Sequence, residues 1–302
     1  MSPQRSVSSE NLTNRANSIS YSHSAQSRAG RAVIKLLENA TGRIQLIKRA
    51  QNYDQEISEG KCFWDLMLER YGLNIDIKSG ALSTIPLSGP VVLVANHPYG
   101  ILDGLIMGYI LARQRGDFRI LAHHVFSKAK ELKNIIIPIS FDESKEAVQR
   151  NLRSRKLALD YLKAGGAIGV FPGGTVSTSL TPFSRPMDPS WRSFTARMIT
   201  KSNATVIPIY FEGHTSRLFQ IASHLHYTLR MGLLINEFRQ RMDGPVSISI
   251  GNPIKPAEIL QRSKDARVLM QFLRQKTYDL AERPIDPFEH CLLYTSDAAD
   301  EL

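Results

Sequence analysis

The stretch Val91–Gly104, VVLVANHPYGILDG, decides the fold. Its apolar residues 91–95 run without interruption into Asn96, His97 and Pro98. A short, continuous apolar run is typical of a strand that is buried on both faces of a parallel sheet, and functional side chains gather at the carboxyl ends of such strands. The stretch therefore predicts a buried strand that delivers His97 to one edge of an α/β sheet.

An acid, Asp103, follows His97 by six positions. A histidine takes up a proton near neutral pH, and a nearby carboxylate fixes its tautomer and stabilises the imidazolium that forms. This combination is what general-base chemistry on a hydroxyl group requires. We therefore predict that His97 and Asp103 are catalytic, with Asp103 orienting His97.

Strand and helix patterns alternate on both sides of this stretch. Helical periodicity is strongest at 145–163, where Gly165 and Gly166 close the helix. Apolar runs at 90–95, 118–123, 135–141, 167–171, 204–211 and 246–250 are typical of strands. This order predicts an α/β fold with a mostly parallel sheet flanked by helices on both faces, and with an N-terminal helical segment.

Composition divides the chain further. Residues 1–28 hold nine serines, three arginines and one acid, which predicts a disordered tail, with an organellar transit peptide as the alternative. Residues 29–75 are predicted as N-terminal helices and residues 76–290 as the main domain. Residues 291–302 resemble translated sequencing-adapter DNA, so we expect the native C-terminus to be missing; a native disordered tail is the alternative.

The predicted helix over residues 30–51 is basic and amphipathic. Its apolar stripe is formed by Val33, Leu36, Leu37, Ala40, Ile44 and Ile47. Its other face carries Arg31, Lys35, Arg43, Lys48 and Arg49. Such a helix lies in an anionic membrane interface or packs its stripe on the core, and neither arrangement excludes the other.

The charge balance predicts an anionic partner. The formal net charge is +10, and the excluded tail contributes three acids and no base, so the remainder is more basic still. No motif that reads nucleic acid occurs, so we expect an anionic membrane surface or phosphate-bearing substrates and no nucleic acid.

Localisation is predicted from two absences and from the cysteine count. No window approaches the roughly 18 to 20 apolar residues that span a bilayer, and no signal peptide is present. Cys62 is the only cysteine once the tail is excluded, which fits a reducing compartment. We expect a cytoplasmic protein that binds peripherally to the inner face of the cell membrane.

Three further stretches join Asn96–Gly104 in a fixed order along the chain. They are Lys130–Leu132 with Ile137 and Pro138, then Phe171–Ser177 (FPGGTVS), then Val206–Ile209 (VIPI). From about Leu87 to Ile254 the chain thus resembles the lysophospholipid acyltransferases, whose bacterial prototype is 1-acylglycerol-3-phosphate acyltransferase. The resemblance implies that residues 76–290 form an acyltransferase domain.

The same resemblance implies the reaction. A fatty acyl group would pass from an acyl carrier protein or acyl-CoA thioester, which is a co-substrate, to the hydroxyl group of a lyso-lipid. His97 would be the general base, with no metal and no other cofactor.

The sequence departs from the family pattern in two places. Five residues rather than four separate His97 from Asp103, and Gly100 is suited to absorb the extra residue in a bulge or tight turn. Gly173 and Val176 replace a Glu and an Arg of the family, which argues against lysophosphatidic acid as acceptor. The stretch Tyr210–Phe219, YFEGHTSRLF, resembles a branch with hemolysin-like and lyso-ornithine-lipid acyltransferases. An aminolipid or another lyso-lipid acceptor is therefore implied.

Substrate contacts are predicted near the first three blocks and beyond them. The main chain of Gly173, Gly174 and Thr175 is suited to hold an anion or oxyanion. Asn96 is predicted to contact the substrate beside His97. The candidates for an anionic head group are Lys128, Lys130 and Arg217, for which a solvated face is the alternative.

Two other functions stay open at this point. A non-catalytic lipid-binding or membrane-associated module with the same fold also accounts for the altered spacing and the neutral third block. A metal-dependent hydrolase is less favoured, because the available ligands lack a metal-binding spacing. These ligands are His123, His124, His214, His224, His226, Asp142 and Glu143.

Overall fold

The computed structural model describes residues 20–25, 27–123, 126, 130–140, 144–283 and 285–288. Several predictions concern residues outside these ranges. They include the adapter-like tail at 291–302 and most of the N-terminal tail, together with Lys128, His124, Asp142 and Glu143.

A central sheet and two layers of helices make up the described part of the chain. The strands are β1 (Asn74–Ser79), β2 (Val91–Ala95), β3 (Arg119–His123), β4 (Ile136–Ile139), β5 (Ala167–Val170), β6 (Thr178–Ser179), β7 (Pro186–Met187), β8 (Thr205–Phe211) and β9 (Pro245–Ile250). The first helices are α1 (Arg28–Thr41), α2 (Arg43–Arg49), α3 (Tyr53–Ser58), α4 (Phe63–Tyr71), α5 (Ile101–Arg115) and α6 (Lys145–Lys163). They are followed by α7 (Ser193–Ser202), α8 (Arg217–Leu225), α9 (Tyr227–Arg239), α10 (Pro256–Leu260) and α11 (Ala266–Tyr278).

The main sheet has seven strands in the order β1-β9-β8-β2-β5-β3-β4. Strand β2 lies at its centre and pairs in parallel with β5 and β8. The contact between β8 and β9 is antiparallel, whereas β1 is parallel to β9. The predicted α/β fold with a mostly parallel sheet is confirmed.

Side chains of β2 alternate between two hydrophobic cores. Val91, Leu93 and Ala95 join a core with α4, α5 and α9, and Val92 and Val94 join a second core with α6, α7 and α11. Burying each such side chain stabilises the fold by about 1.5 to 3 kcal/mol. The central strand is therefore held from both faces, and its carboxyl end is a rigid place for a functional residue.

The predicted division between residues 75 and 76 falls within a strand. Strand β1 (Asn74–Ser79) crosses that division and pairs with β9, and the buried side chains of α4 belong to the same core as β2. Helix α4 thus packs on the same core as the strands that follow the predicted boundary. Strand β1 was not predicted from the sequence because it is a half-exposed strand at the edge of the sheet and lacks a continuous apolar run.

Residues 20–25 also differ from the prediction of a disordered tail over 1–28. The carboxylate of Glu38, which is fully buried in α1, accepts hydrogen bonds from Ser20 Oγ and from the main-chain N–H of Tyr21, both at 2.6 Å. Arg43 lies 4.0 Å from the same carboxylate. The hydrogen-bond donors of this polar segment are paired with a buried carboxylate on α1. The polar composition of the segment alone does not predict this packing.

The helix predicted over residues 30–51 is divided at Gly42 into α1 and α2, and most of its predicted apolar stripe is exposed. Leu36 on α1 is 70% exposed, and Val33 on α1 and Ile44 on α2 are exposed as well, whereas Ile34 on α1 is fully buried. The core is therefore reached by a neighbouring face of the helix. None of the helices in the described part of the chain combines the length and hydropathy needed to cross a membrane.

Candidate active site

Asn96 joins the ends of the two central strands. Its side-chain amide donates to the carbonyl oxygen of Phe211 at 2.9 Å and accepts from the N–H of the same residue at 2.7 Å. The side chain is buried, so it satisfies two main-chain groups where β2 and β8 end. Its predicted contact with a substrate stays a prediction.

His97 and Asp103 form a hydrogen-bonded pair. Nδ1 of His97 lies 2.9 Å from Oδ2 of Asp103, whose side chain is fully buried, while the imidazole is 18% exposed. The same oxygen accepts the main-chain N–H groups of Tyr99 and Gly100. When Asp103 is ionised its carboxylate only accepts hydrogen bonds, and a neutral imidazole paired with it carries its proton on Nδ1. Nε2 has no hydrogen-bond partner among the described residues.

Gly100 makes this pairing possible. Its φ of +76° and ψ of −114° form a backbone conformation that glycine adopts without strain, directly before α5 begins. The turn brings Asp103, at the third position of α5, back towards His97. The five-residue spacing is therefore compatible with the pair, as the sequence predicted for Gly100.

Burial raises the pKa of Asp103 above its usual range. The hydrogen bond from His97 and those from the main chain oppose this shift but do not cancel it. The second carboxylate oxygen, Oδ1, is buried without a hydrogen-bond partner among the described residues. Burial of the ionised Asp103 carboxylate thus destabilises the folded state, and such perturbed groups are typical of functional sites.

The third block follows β5 and lies against the imidazole. The ring of Phe171 stacks on His97 with centroids 4.2 Å apart and planes inclined by 22°. Further along the block, the N–H of Ser177 donates to the carbonyl oxygen of His97 at 2.8 Å. The structure thus brings the first and third blocks together at the carboxyl ends of β2 and β5.

The glycine-rich turn itself offers fewer donors than predicted. The N–H of Gly174 is engaged by the carbonyl oxygen of Phe171 at 2.9 Å, so it is not available to an oxyanion. No hydrogen bond of the N–H groups of Gly173 or Thr175 is found among the described residues. The hydroxyl group of Thr175 accepts a hydrogen bond from Arg230 at 3.0 Å.

Arg230, on α9, was not singled out from the sequence. Its guanidinium also donates to the carbonyl oxygen of Val176 and to the hydroxyl group of Thr178, and it lies over the ring of Phe219. The residue holds the loop of the third block against α9. No local pattern marks it, because its partners lie more than fifty residues away.

Among the described residues, neither Lys130 nor Arg217 makes a contact with His97 or Asp103. Arg217 is exposed at the start of α8 and donates to the carbonyl oxygen of Ser184, in the loop between β6 and β7. Lys130 is exposed in the turn before β4. Their roles in binding an acceptor stay predictions.

Tyr21 lies near the site in the N-terminal segment. Its ring packs against the buried cluster that includes Val176 and Leu234, and it meets Phe126 edge-on at 6.2 Å. Its hydroxyl oxygen lies 3.8 Å from the point where a Cβ on Gly100 would lie. Burial, together with the nearby carboxylates of Glu38 and Asp103, raises the pKa of Tyr21 well above its usual value, so the hydroxyl group stays neutral.

Two of the other described histidines contact residues close to them in the sequence. Nδ1 of His226 accepts the N–H of Thr228 at the start of α9, and His214 contacts its own neighbour, Thr215. Within the described ranges, no group of three or more His, Cys, Asp and Glu side chains is arranged to hold a metal ion.

Comparison with known proteins gives a consistent result. The profile of the acyltransferase family matches residues 61–286. Two similar proteins are both called lyso-glycine lipid O-acyltransferase. The protein of Phocaeicola vulgatus is 24% identical over 234 residues, covering 75% of this chain and 80% of its own. That of Bacteroides thetaiotaomicron is 21% identical over 235 residues, covering 73% and 80%.

A solved structure is also similar. It is the 1-acyl-sn-glycerophosphate acyltransferase of Thermotoga maritima, with 14% identity, a TM-score of 0.46, and coverage of 90% of this chain and 87% of that one. Because the family profile matches well over half of the sequence, the chain belongs to the acyltransferase family. It is an acyltransferase of the lysolipid type, and the family resemblance of the four blocks is confirmed.

Proposed function

We propose that this protein moves a fatty acyl group from an acyl carrier protein or CoA thioester to the hydroxyl group of a lyso-lipid, with His97 as general base. The observation that carries the proposal is the 2.9 Å contact between His97 Nδ1 and Asp103 Oδ2, beside an Nε2 that has no partner among the described residues. A neutral imidazole oriented in this way is ready to accept a proton at Nε2.

The steps follow from these atoms. Nε2 of His97 takes the proton of the acceptor hydroxyl group while that oxygen attacks the thioester carbonyl carbon. Asp103 stabilises the imidazolium and keeps the ring in place. The tetrahedral intermediate then collapses, the C–S bond breaks, and the imidazolium returns the proton to the departing thiolate. A new ester and a free thiol result, and the histidine is again neutral.

The developing oxyanion needs hydrogen-bond donors. Since the N–H of Gly174 is engaged by Phe171, we assign this role to the N–H groups of Gly173 and Thr175. The hydrogen bonds of Arg230 to Thr175 and Val176 support the assignment, because they hold this loop in one conformation.

The acceptor is an amino-acid lipid, in this proposal a lyso-glycine lipid. The names of the two similar proteins support this class, as does the neutral third block with Gly173 and Val176. A glycine joined to a lipid through its amine presents a carboxylate rather than a phosphate. Lys130 and Arg217 are the proposed cations for this group, and both are exposed.

Membrane contact is proposed through α1. Its exposed apolar side chains Val33 and Leu36 lie next to exposed Lys35 and Arg31, and its one acid, Glu38, is buried. Apolar side chains flanked by bases are suited to an anionic interface. We propose that the protein works in this way on the cytoplasmic face of the cell membrane, where thioester donors are found.

The acceptor class is tested with the purified full chain. Decanoyl to palmitoyl thioesters of CoA and of acyl carrier protein are offered with lyso-glycine lipid, lyso-ornithine lipid or lysophosphatidic acid, and products are read by mass spectrometry. We expect O-acylation of the lyso-glycine lipid to be fastest. Preference for lysophosphatidic acid would contradict the assignment of the acceptor. Lipid binding without transfer from any donor would favour the non-catalytic module instead.

A further inference from the structure

Asp188 is a buried acid that stands alone in the sequence. It is the one acidic residue between Asp160 and Glu212, and its side chain is only 1% exposed. Burying a carboxylate is costly unless hydrogen bonds satisfy it. The burial of the Asp188 carboxylate therefore requires specific hydrogen-bond partners.

The carboxylate of Asp188 holds three separate segments. Oδ1 accepts the main-chain N–H of His97 at 3.0 Å and the hydroxyl group of Ser177 at 2.6 Å. Oδ2 accepts the indole N–H of Trp191 at 3.0 Å. The first block, the third block and the approach to α7 therefore meet on one side chain.

A closed ring of hydrogen bonds results around the main chain of His97. Its N–H donates to Asp188, its carbonyl oxygen accepts the N–H of Ser177, and the hydroxyl group of Ser177 completes the ring on Asp188. Asp103 fixes the imidazole ring of the same residue through Nδ1. Two carboxylates thus fix different parts of His97, one its side chain and one its backbone.

Asp188 is itself held in place by α11. Its own N–H is paired with the phenol oxygen of Tyr278 at 2.9 Å, and its carbonyl oxygen accepts from Arg274 at 2.6 Å. Both residues are buried. The ring is therefore anchored to the last helix of the domain rather than to a mobile surface.

The turn of the third block fits around this carboxylate. A Cβ on Gly173 would lie 3.3 Å from the Cβ and Oδ2 of Asp188, which is closer than most real contacts of that kind. The main chain of Gly173 thus passes directly beside the acid. Any side chain there would press on Asp188 and, through it, on His97.

We propose that Asp188 is the positioning residue of the catalytic histidine. It holds the main chain of His97 against the loop Phe171–Ser177, so that the distance between His97 Nε2 and the N–H groups of Gly173 and Thr175 stays constant. The inference rests on the proposed function, since it assumes that His97 is the base. It assigns no contact with substrate to Asp188. Misplacing a catalytic group by about 1 Å costs roughly 10²-fold in rate.

The decisive variant is Asp188→Asn, which keeps the size of the side chain. An amide replaces one accepting oxygen by a donor, so at least one of the three N–H or O–H partners loses its acceptor. We expect kcat to fall about 10²-fold, while KM for thioester and acceptor changes less than about threefold. Ser177→Ala, which opens the ring at one bond, should lower kcat by a smaller factor.

The double variant Asp188→Asn/Ser177→Ala should be less impaired than the product of the two single effects, because both changes break the same ring. Ser202→Ala is the matched control. It removes a buried hydroxyl group at the end of α7, whose hydrogen bonds among the described residues go to Met198 and Ile199 of the same helix. It should lower the thermal midpoint and leave kcat at the wild-type value.

The outcomes separate the two proposals. A folded Asp188→Asn protein with wild-type kcat, or a loss that matches only its unfolded fraction, overturns the positioning role. A KM increase with unchanged kcat also overturns it. If Asp188→Asn does not fold, Ser177→Ala decides alone, and unchanged kcat in that variant rejects the ring. A wild-type protein that transfers no acyl group overturns the proposed function and this inference with it.

Discussion

Oδ2 of Asp103 lies 2.9 Å from Nδ1 of His97 although five residues separate them in the sequence. The turn at Gly100 closes this gap, and Tyr99 and Gly100, directly before α5, donate their main-chain N–H groups to the same oxygen. The pair is therefore built almost entirely from one short segment between β2 and α5. Its geometry depends on the backbone of that segment.

Gly100→Ala is expected to disturb the pair through the backbone. The φ of +76° disfavours any side chain, and a Cβ would lie 3.3 Å from Val176 Cγ2 and 3.4 Å from Leu234 Cδ2. We expect a loss of about 1 to 3 kcal/mol in the free energy of unfolding and a clear fall in kcat. Chemical denaturation and initial rates measure both. Gly104→Ala, in open space on α5, is the control and should change neither strongly.

Asp103→Asn should separate activity from stability. Transfer should fall by about three to four orders of magnitude, since an amide no longer fixes the productive tautomer. The thermal midpoint at pH 7.5 should rise, because burial raises the pKa of Asp103 and the ionised form is the costly one.

The pH dependence of that stability gain follows from the same raised pKa. An acid whose pKa is higher in the folded state destabilises the fold once it ionises, so the gain is fully present above the folded pKa. It should shrink as the pH falls through that value towards the pKa of the unfolded chain. A midpoint difference between variant and wild type that is constant from pH 4 to pH 8 would contradict this explanation.

Asn96→Ala tests whether Asn96 supports the sheet or contacts the acceptor. The structure predicts two unsatisfied main-chain groups at Phe211 and hence a loss of about 2 to 3 kcal/mol in stability. KM for the acceptor should change little in the protein that remains folded. A normal unfolding free energy with a strongly raised KM would assign Asn96 to the substrate instead.

Replacing Val33 and Leu36 by serine should weaken membrane binding. Both side chains are exposed on α1, so the fold should be unaffected. Flotation with vesicles of phosphatidylglycerol and phosphatidylcholine measures the bound fraction, which we expect to fall severalfold. Leu260→Ser, on α10, is the matched control because Leu260 is 56% exposed. Equal bound fractions for wild type and the α1 variant would contradict a role of α1 in membrane binding.

The sequence was most informative where its signal is local. Helix α6 begins and ends where its periodicity predicts, and Ser144 caps it by accepting the N–H of Ala147. The order of the strands after residue 90 and the pairing of His97 with Asp103 are likewise contained in short segments. Such features depend on neighbouring residues and can be read without knowledge of the fold.

Features that depend on distant contacts were missed. Asp188 reaches His97 across 91 positions, and β1 pairs with a strand at the other end of the chain. Residues 20–25 look like part of a disordered tail until Glu38 provides a buried acceptor for them. In each case the partner that gives the residue its role is absent from the local pattern.

Replacement of His97 tests the central claim most directly. Wild type and His97→Ala are compared under identical conditions for transfer from a CoA or acyl carrier protein thioester to lyso-glycine lipid, with vesicle flotation and thermal unfolding as checks on binding and folding. We expect transfer to disappear in His97→Ala while flotation and the thermal midpoint stay close to wild type. Transfer at the wild-type rate by the folded variant would contradict the assignment of His97 as the general base.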